Sequence, residues 1–410
     1  MEIRPILSTL KRHKTAAALI VLEIALSCAI VCNALFVVGQ RLEVLNMPGG
    51  IDDHSLLEIR MGGVGDQVDA DARSREDLAA LRAVPGVSDA AITNQLPFQS
   101  GSWNTALSNT ASQEIPTLNL AQYFTTPGTL QTLGLKLVSG RDFYASEFRD
   151  QSALEKDNDL SALRGPIIVS EAAARKLFPD GGARAAVGKT VYMAGIPLTI
   201  VGVVEHLTRP NDGNGEWHHS MLLPIRLNYA SGGRYVIRVK DPAQRASVLK
   251  DAVAALEKAD PNRLVLSQKT YDDVRGDYFA NDRDMIGLLI LVSALLLGVT
   301  ALGIIGLASF WVAQRTRQIG VRRALGATKG QILRYFQTEN FLLVTLGIVL
   351  GMGLAYALNL LLMRHYELPR LPLLYLPIGA IVLWLLGQLA VLWPARRAAA
   401  VPPAIATRSA

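Results

Sequence analysis

The segment GGARAAVGKT, Gly181 to Thr190, ends in the Gly-Lys-Thr that closes a nucleotide-binding loop of the G-x-x-x-x-G-K-[ST] type. That loop needs its first glycine five residues before the second, so that backbone N–H groups converge on the phosphates and the lysine reaches them. Five residues before Gly188 stands Ala183, and the nearest preceding glycine, Gly182, is one residue too far. The flanks also run in the wrong order. A phosphate loop leaves a strand and opens a helix, whereas here a helix-like run, SEAAARKLF, comes first and a β-rich run, TVYMAGIPLTIVGVV, follows. The segment reads as a glycine turn ahead of a β-hairpin.

Two other clusters invite the same test. In NDGNGEWHHSM, His218 and His219 lie beside Asp212 and Glu216. Zinc helices space their histidines at i and i+4, and adjacent histidines on a strand point apart, so this stretch reads as a Gly- and Asn-rich loop. The two cysteines, Cys28 and Cys32, sit one helical turn apart in an apolar run and read as small packing residues. Signatures of the G-x-S-x-G, H-E-x-x-H or local Cys-His kind are missing from the chain. Triads need not be local, so a membrane-anchored enzyme stays on the table. No catalytic, cofactor-binding or metal-binding residue is assigned.

The elements that carry these residues follow from hydropathy. Half of the 410 residues are apolar, and four windows exceed the ~20 residues a membrane helix needs. They are residues 15–40, broken only by Glu23, and the uncharged runs 285–314, 340–363 and 371–395. The first is too long for a secretory h-region and lacks an A-x-A-like cleavage site, so it reads as an uncleaved anchor. Basic residues crowd residues 1–14, 315–339 and 396–410, which the positive-inside rule puts in the cytoplasm. These segments reach a net +12 over residues 1–14, 315–338 and 396–410, against +6 for the whole chain, leaving −6 elsewhere. The basicity therefore records membrane topology and not a nucleic-acid footprint.

The remaining segments, 41–284 and 364–370, then lie outside. The first is a full extracytoplasmic domain of about 245 residues with no cysteine and hence no disulfide. Residues 73–82 read as a helix, 87–93 as a strand, and 166–170, 171–178 and 190–204 as strand, helix and strand. RYVIRVK, the amphipathic run 242–258 and DPNRLVLSQ repeat that rhythm, so the class is α+β.

The loop QRTRQIGVRRALGATKGQILRYFQTE mixes dense arginine with Ile319, Leu325, Ile332, Leu333 and Phe336. It reads as an amphipathic surface helix that turns at Gly326 and resumes into the third span. Within the first span, Glu23, Ser27 and Asn33 are the polar residues of interest, and Glu23 and Ser27 share a face. Glu23 is expected to contact a basic or polar residue of the loop.

That loop is similar to one carried by the MacB/FtsX-like permeases of ABC transporters, R-T-x-E-I-G-x-R-x-A-L-G-A. The residues that match or occupy it are Arg315, Thr316, Arg317, Gln318, Ile319, Gly320, Val321, Arg322, Arg323, Ala324, Leu325, Gly326 and Ala327, with Gln318 where the family has Glu. Glu339 matches the acid that opens the family's third span. PGVSDAAITNQLP, YFTTPGTLQTLGLKLVSGRDF, IIVSEAAARKLFP, VGKTV, IVGVVEH and the tail WPARRAAAVPPAIATR resemble further landmarks in order.

The resemblance implies a type VII permease: four transmembrane helices with a large α+β domain between the first and second, in a bacterial inner membrane, both termini cytoplasmic. It implies that Arg315 to Ala327 couple to an ATPase. Fused members carry that ATPase ahead of the first span; fourteen residues precede it here, which implies a separate ATPase dimer holding ATP and Mg, a second permease, and eight spans in all. Mechanotransmission for efflux, with a periplasmic adaptor and an outer-membrane duct, is the first expectation. Lipoprotein release of the Lol kind and FtsX-like activation of cell-wall hydrolases are the alternatives.

Overall fold

The computed structural model of the chain describes residues 14–65, 67, 69–157, 163–211, 216–366 and 370–400. The basic residues expected at 1–13, Asp212 of the histidine loop, part of the short 364–370 connection and the tail beyond 400 lie outside the described residues. Two compact units form, one from residues 1–46 and 281–410, the other from 47–280.

In chain order the elements are α1 (Lys14–Leu45), β1 (Leu56–Gly63), α2 (Ala70–Arg82), β2 (Val87–Thr93), β3 (Asn104–Leu107), β4 (Leu118–Phe124), α3 (Thr129–Leu133) and β5 (Leu137–Gly140). Then come β6 (Arg149–Asp150), α4 (Gln151–Asp157), β7 (Gly165–Ser170), α5 (Glu171–Leu177), α6 (Gly182–Ala186), β8 (Thr190–Met193), β9 (Ile196–Val204), β10 (Ser220–Leu223) and β11 (Ile225–Arg226). The chain continues through β12 (Arg234–Val239), α7 (Arg245–Ala259), β13 (Arg263–Thr270), α8 (Tyr271–Tyr278), α9 (Ala280–Gln314), α10 (Thr316–Ala324), α11 (Lys329–Tyr366) and α12 (Tyr375–Ala399).

The inserted domain builds three sheets among the described residues. One is fully antiparallel in the order β13-β1-β12-β2. The second is mixed, β3-β4-β10-β7-β9-β5 with β8 on β9, and the third pairs β6 with β11. Strand β7 runs parallel to β9 through the intervening α5, a connection that parallel pairing requires. Its Ile167, Ile168 and Val169 are all buried because both faces of a central strand are covered. Helix α5 starts where the Ser170 hydroxyl accepts from the Ala173 N–H at 3.3 Å. Leu57 and Ile59 of β1 meet Leu81 of α2 and Leu256 of α7 in the core.

The VGKT segment is a turn. Helix α6 precedes it, Gly188 holds φ +84°, and the β8–β9 hairpin follows.

Helices α1, α9, α11 and α12 are long and apolar enough to cross a membrane. Their bounds differ from the hydropathy windows. Helix α9 has 35 residues, about 52 Å against a hydrocarbon core of ~30 Å. Helix α11 begins at Lys329, eleven residues before the uncharged run at 340, because Arg334 and Glu339 interrupt hydropathy without interrupting the helix. Helix α12 starts at Tyr375, whose N–H bonds the Pro372 carbonyl, and runs on past Arg397.

Helix α1 packs against α11 and α12 through small residues. A Cβ on Gly351 would lie 2.5 Å from Cys28 Cβ and 2.7 Å from the Ala25 carbonyl oxygen, and one on Gly379 would overlap Cys32 Sγ. Close helix approach of this kind is how membrane helices gain dispersion energy where lipid is as apolar as the partner. Cys28 and Cys32 are buried, free and part of that seam. Helix α9 buries only Thr300, Ile304, Ala308, Trp311 and Val312.

Candidate functional site

The arginine-rich connection between α9 and α11 is the most structured cluster of the residues singled out above. Helix α9 ends where the Thr316 hydroxyl donates to the carbonyls of Val312 and Ala313, at 3.0 and 2.9 Å. Helix α10 then runs to Ala324, is capped by Leu325 and turns at Gly326, whose φ of +96° is the left-handed state glycine supplies at least cost. The Gly326 N–H reaches the Arg323 carbonyl and the Ala327 N–H the Arg322 carbonyl, the paired closure of a Schellman end. Helix α11 opens at once: Gln331 Oε1 accepts from the Thr328 N–H at 2.9 Å, while Thr328 Oγ1 accepts from the Gln331 N–H at 3.2 Å. LGATKGQ thus encodes a helix stop and a helix start within one turn.

The residues of α10 divide by face. Ile319 and Gly320 are buried, with Ile319 packed among Ile332, Phe336, Ala395 and Ala398. The Arg323 Nη1 donates to the Ala399 carbonyl at 3.1 Å. Arg315 turns inward too: its Nη1 lies 2.8 Å from Glu339 Oε2 and 3.1 Å from Oε1, with the guanidinium 5.7 Å over the Trp311 ring. Arg315, Ile319, Gly320 and Arg323 therefore brace α10 against α11 and α12, so of the residues expected to couple to an ATPase these four face the protein's own helices. The opposite face carries Arg317, Gln318, Arg322, Ala324 and Leu325, all exposed, with Ala327 half-buried at the turn. Leu325 is 83 % exposed and Val321 44 %. Arg322 stacks over the Tyr335 ring at 5.1 Å.

Glu23, Ser27 and Asn33 all find their neighbours on other helices. A Cβ on Gly303 of α9 would sit 2.6 Å from Glu23 Oε2, so the carboxylate occupies the space that glycine leaves. The Ser27 and Thr300 hydroxyls are 2.8 Å apart, and Asn33 Nδ2 donates to the Ala355 carbonyl at 3.2 Å. The structure thus places Glu23 on α9 and not on the arginine loop. Sequence pattern missed Thr300 and Gly303, whose only signal was a small or polar residue in an otherwise large apolar run. At the opposite end of the same pair, Arg41 of α1 makes an ion pair with Asp282 of α9.

His218 and His219 of the inserted domain sit in the turn and connection ahead of β10 and not on a strand. The His218 ring lies 4.7 Å from that of His206, tilted by 49°, and His219 Nδ1 lies 3.5 Å from Glu216. Burial, then the neighbouring His206, pushes the His218 imidazole below its ordinary pKa; burial does the same to His219. Among the described residues no three His, Cys, Asp or Glu side chains converge as a metal site.

A family model for the MacB-like periplasmic core domain matches residues 17–255, and one for the FtsX-like permease C-terminal region matches residues 290–403. The chain belongs to the MacB-like and FtsX-like ABC transporter permease family. Similar proteins include the macrolide export ATP-binding/permease protein MacB of Chromobacterium violaceum, 29 % identical over 64 % of this chain and 42 % of that one. MacB of Shewanella oneidensis is 24 % identical over 86 % of this chain and 52 % of its own length. The uncharacterized ABC transporter permease YknZ of Bacillus subtilis is 27 % identical over 68 % of each. The chain spans about half or less of the MacB relatives named here. Among solved structures, the extracellular domain of YknZ aligns over 52 % of this chain and all of that one at 17 % identity and a TM-score of 0.33. The periplasmic region of MacB from Actinobacillus actinomycetemcomitans aligns over 56 % and 94 %, at 18 % and 0.31.

Proposed function

We propose that this permease transmits ATP-driven motion from an ABC ATPase, held at the face of α10, through α1 and α9 to the inserted domain, and that the motion exports a compound across a bacterial inner membrane. In this reading the loop and both termini are cytoplasmic, and the inserted domain is periplasmic. A second permease completes the assembly, ATP and Mg stay on the ATPase, and an adaptor and outer-membrane duct receive the cargo.

The observation that carries the reading is the two-sidedness of α10. Its inner face is fixed by the Arg315–Glu339 pair, the Ile319 cluster and the Arg323 bond to Ala399. Its outer face presents Val321 and Leu325 to solvent between Arg317 and Arg322. A large exposed leucine on a braced, cationic helix has the composition of a protein-docking patch, apolar at the centre and charged at the rim.

The double substitution Ala324→Asp and Leu325→Asp tests this, because neither side chain supports the fold. Co-purification from mild detergent, with ATP hydrolysis assayed, is expected to recover an ATPase with the unaltered chain and none with the variant. A variant that still carries the ATPase at full stoichiometry refutes the docking face.

A further inference from the structure

Helix α12 keeps one stripe that the described residues leave uncovered. Its small and buried residues, among them Ala380, Leu383, Ala390 and Ala398, pack against the neighbouring helices. On the other side Ile381, Leu385, Leu389 and Trp393 follow at i, i+4, i+8 and i+12 and are 53–65 % exposed. From Ile381 to Trp393 the helix rises about 18 Å, close to one leaflet of a hydrocarbon core ~30 Å thick. One turn further on stand Arg396 and Arg397, both exposed. The Arg397 guanidinium lies 5.8 Å over the Trp393 ring. Tryptophan favours the level where hydrocarbon meets the lipid headgroups, which puts the two guanidiniums at the depth of the phosphates.

No side chain of the described residues balances that charge. Neither arginine makes an ion pair among them. This end of the bundle holds Lys14, Arg396, Arg397 and six basic residues between 315 and 334, against one acid, Glu339. Glu339 is buried and already paired with Arg315. The next acid on α1, Glu23, lies nine residues beyond Lys14, about 13 Å along the helix, and turns to Gly303 of α9. Outside the described residues the sequence adds Glu2 together with Arg4, Lys11, Arg12 and Arg408, which leaves the excess larger. Two uncompensated guanidiniums thus close an apolar stripe one leaflet long.

We infer that the α12 stripe binds an anionic phospholipid, its phosphate held by Arg396 and Arg397 and one acyl chain lying along Leu389, Leu385 and Ile381. A guanidinium fork offers a phosphate two parallel N–H···O bonds. A zwitterionic lipid covers the stripe, but its own ammonium already balances its phosphate, so the arginines stay uncompensated. Inorganic phosphate meets the arginines and leaves the stripe bare. An anionic phospholipid does both. The inference rests on α12 crossing the membrane and does not draw on the ATPase face of α10.

The full chain in detergent, offered equal amounts of dioleoyl phosphatidylglycerol and dioleoyl phosphatidylcholine and weighed by native mass spectrometry, tests this without ATP or an ATPase, so failure leaves the permease reading untouched. The unaltered chain is expected to retain phosphatidylglycerol over phosphatidylcholine by about fivefold or more, the scale of one basic residue at an anionic surface. Arg396→Gln/Arg397→Gln changes exposed side chains alone and is expected to hold the two lipids alike, with its unfolding midpoint in phosphatidylcholine unchanged. Lys14→Gln/Arg334→Gln removes the same charge from α1 and α11 and is expected to keep the preference. Inorganic phosphate is expected not to displace the lipid. No preference in the unaltered chain, a preference that survives Arg396→Gln/Arg397→Gln, an equal loss in Lys14→Gln/Arg334→Gln, which marks a diffuse field, or displacement by inorganic phosphate overturns the inference.

Discussion

Glu339 and Arg315 meet with side chains 2 % and 11 % exposed, so each charge depends on the other for most of its solvation. Removing one partner of such a pair costs about 3–5 kcal/mol, whereas replacing both with apolar residues of similar volume is often near neutral. Glu339→Ala is therefore expected to lower the thermal unfolding midpoint in detergent sharply, and Arg315→Met with Glu339→Leu to recover most of that loss. A double variant as unstable as the single one contradicts the pairing. Both residues were visible in the sequence as parts of a motif, but their relation was not. It rests on a helix stop and a helix start placed between them, which bring positions 24 apart in the chain within hydrogen-bond reach. The same geometry explains why half of the arginine-rich run faces inward: amphipathic spacing marks two faces and does not say which one a neighbouring helix covers.

At the level of elements, Gly347 and Gly351 stand one turn apart on α11 and admit α1 to backbone contact. Gly351→Val places its first carbon against the Ala25 carbonyl, which no rotamer change relieves, so the helices must separate. Overpacking of this kind typically costs about 1–3 kcal/mol. The variant is expected to lose folded, monodisperse protein in size-exclusion chromatography. Gly353→Val, at a position with nothing within 4 Å, is expected to behave as the unaltered chain. If both behave alike, the seam between α1 and α11 is not where it is placed. Element type was legible wherever periodicity was strong: the strand over 87–93 is found with those bounds, and the 190–204 run folds as the hairpin its Ala-Gly turn suggests. Strand order was not legible. β7 lies between β9 and β10, the latter 50 residues along, and a pairing between strand edges that far apart in the chain leaves no mark on local periodicity.

For the molecule as a whole, acid is expected to loosen the inserted domain before it disturbs the helices. The imidazoles of His218 and His219 are held below their unfolded pKa of ~6.5 by burial, with His206 adding to the effect on His218 and Glu216 partly opposing it on His219. A group whose folded form resists protonation makes the unfolded chain bind more protons, so the stability it allows is present above ~6.5 and is lost as the pH falls. Differential scanning fluorimetry between pH 7.5 and 5.5 is expected to show a falling midpoint, with a smaller fall in His218→Gln/His219→Gln. Glu147, held low by its hydrogen bond from Arg141, acts only below ~4.3 and stays out of that window. An identical pH slope in the histidine variant rules this origin out.

The seam of α1 also sets an order of events during synthesis. Cys28 meets the carbonyl of Ile348, 320 positions later in the chain, and the same flank of α1 meets Ala380 and Leu383 later still. At about 5–20 residues per second, the ribosome needs roughly a quarter of a minute to a minute to cover that distance. For most of that interval α1 has none of α9, α11 or α12 to pack against; Thr300 of α9, the partner of Ser27, is made shortly before its end, and the glycines of α11 come last. The inserted domain emerges and can fold in the meantime, because among the described residues its core clusters contain none from the later helices. The membrane bundle is thus the last part of the molecule to close, and a nascent chain stalled between the end of α8 and the start of α11 carries a finished domain on an unfinished anchor.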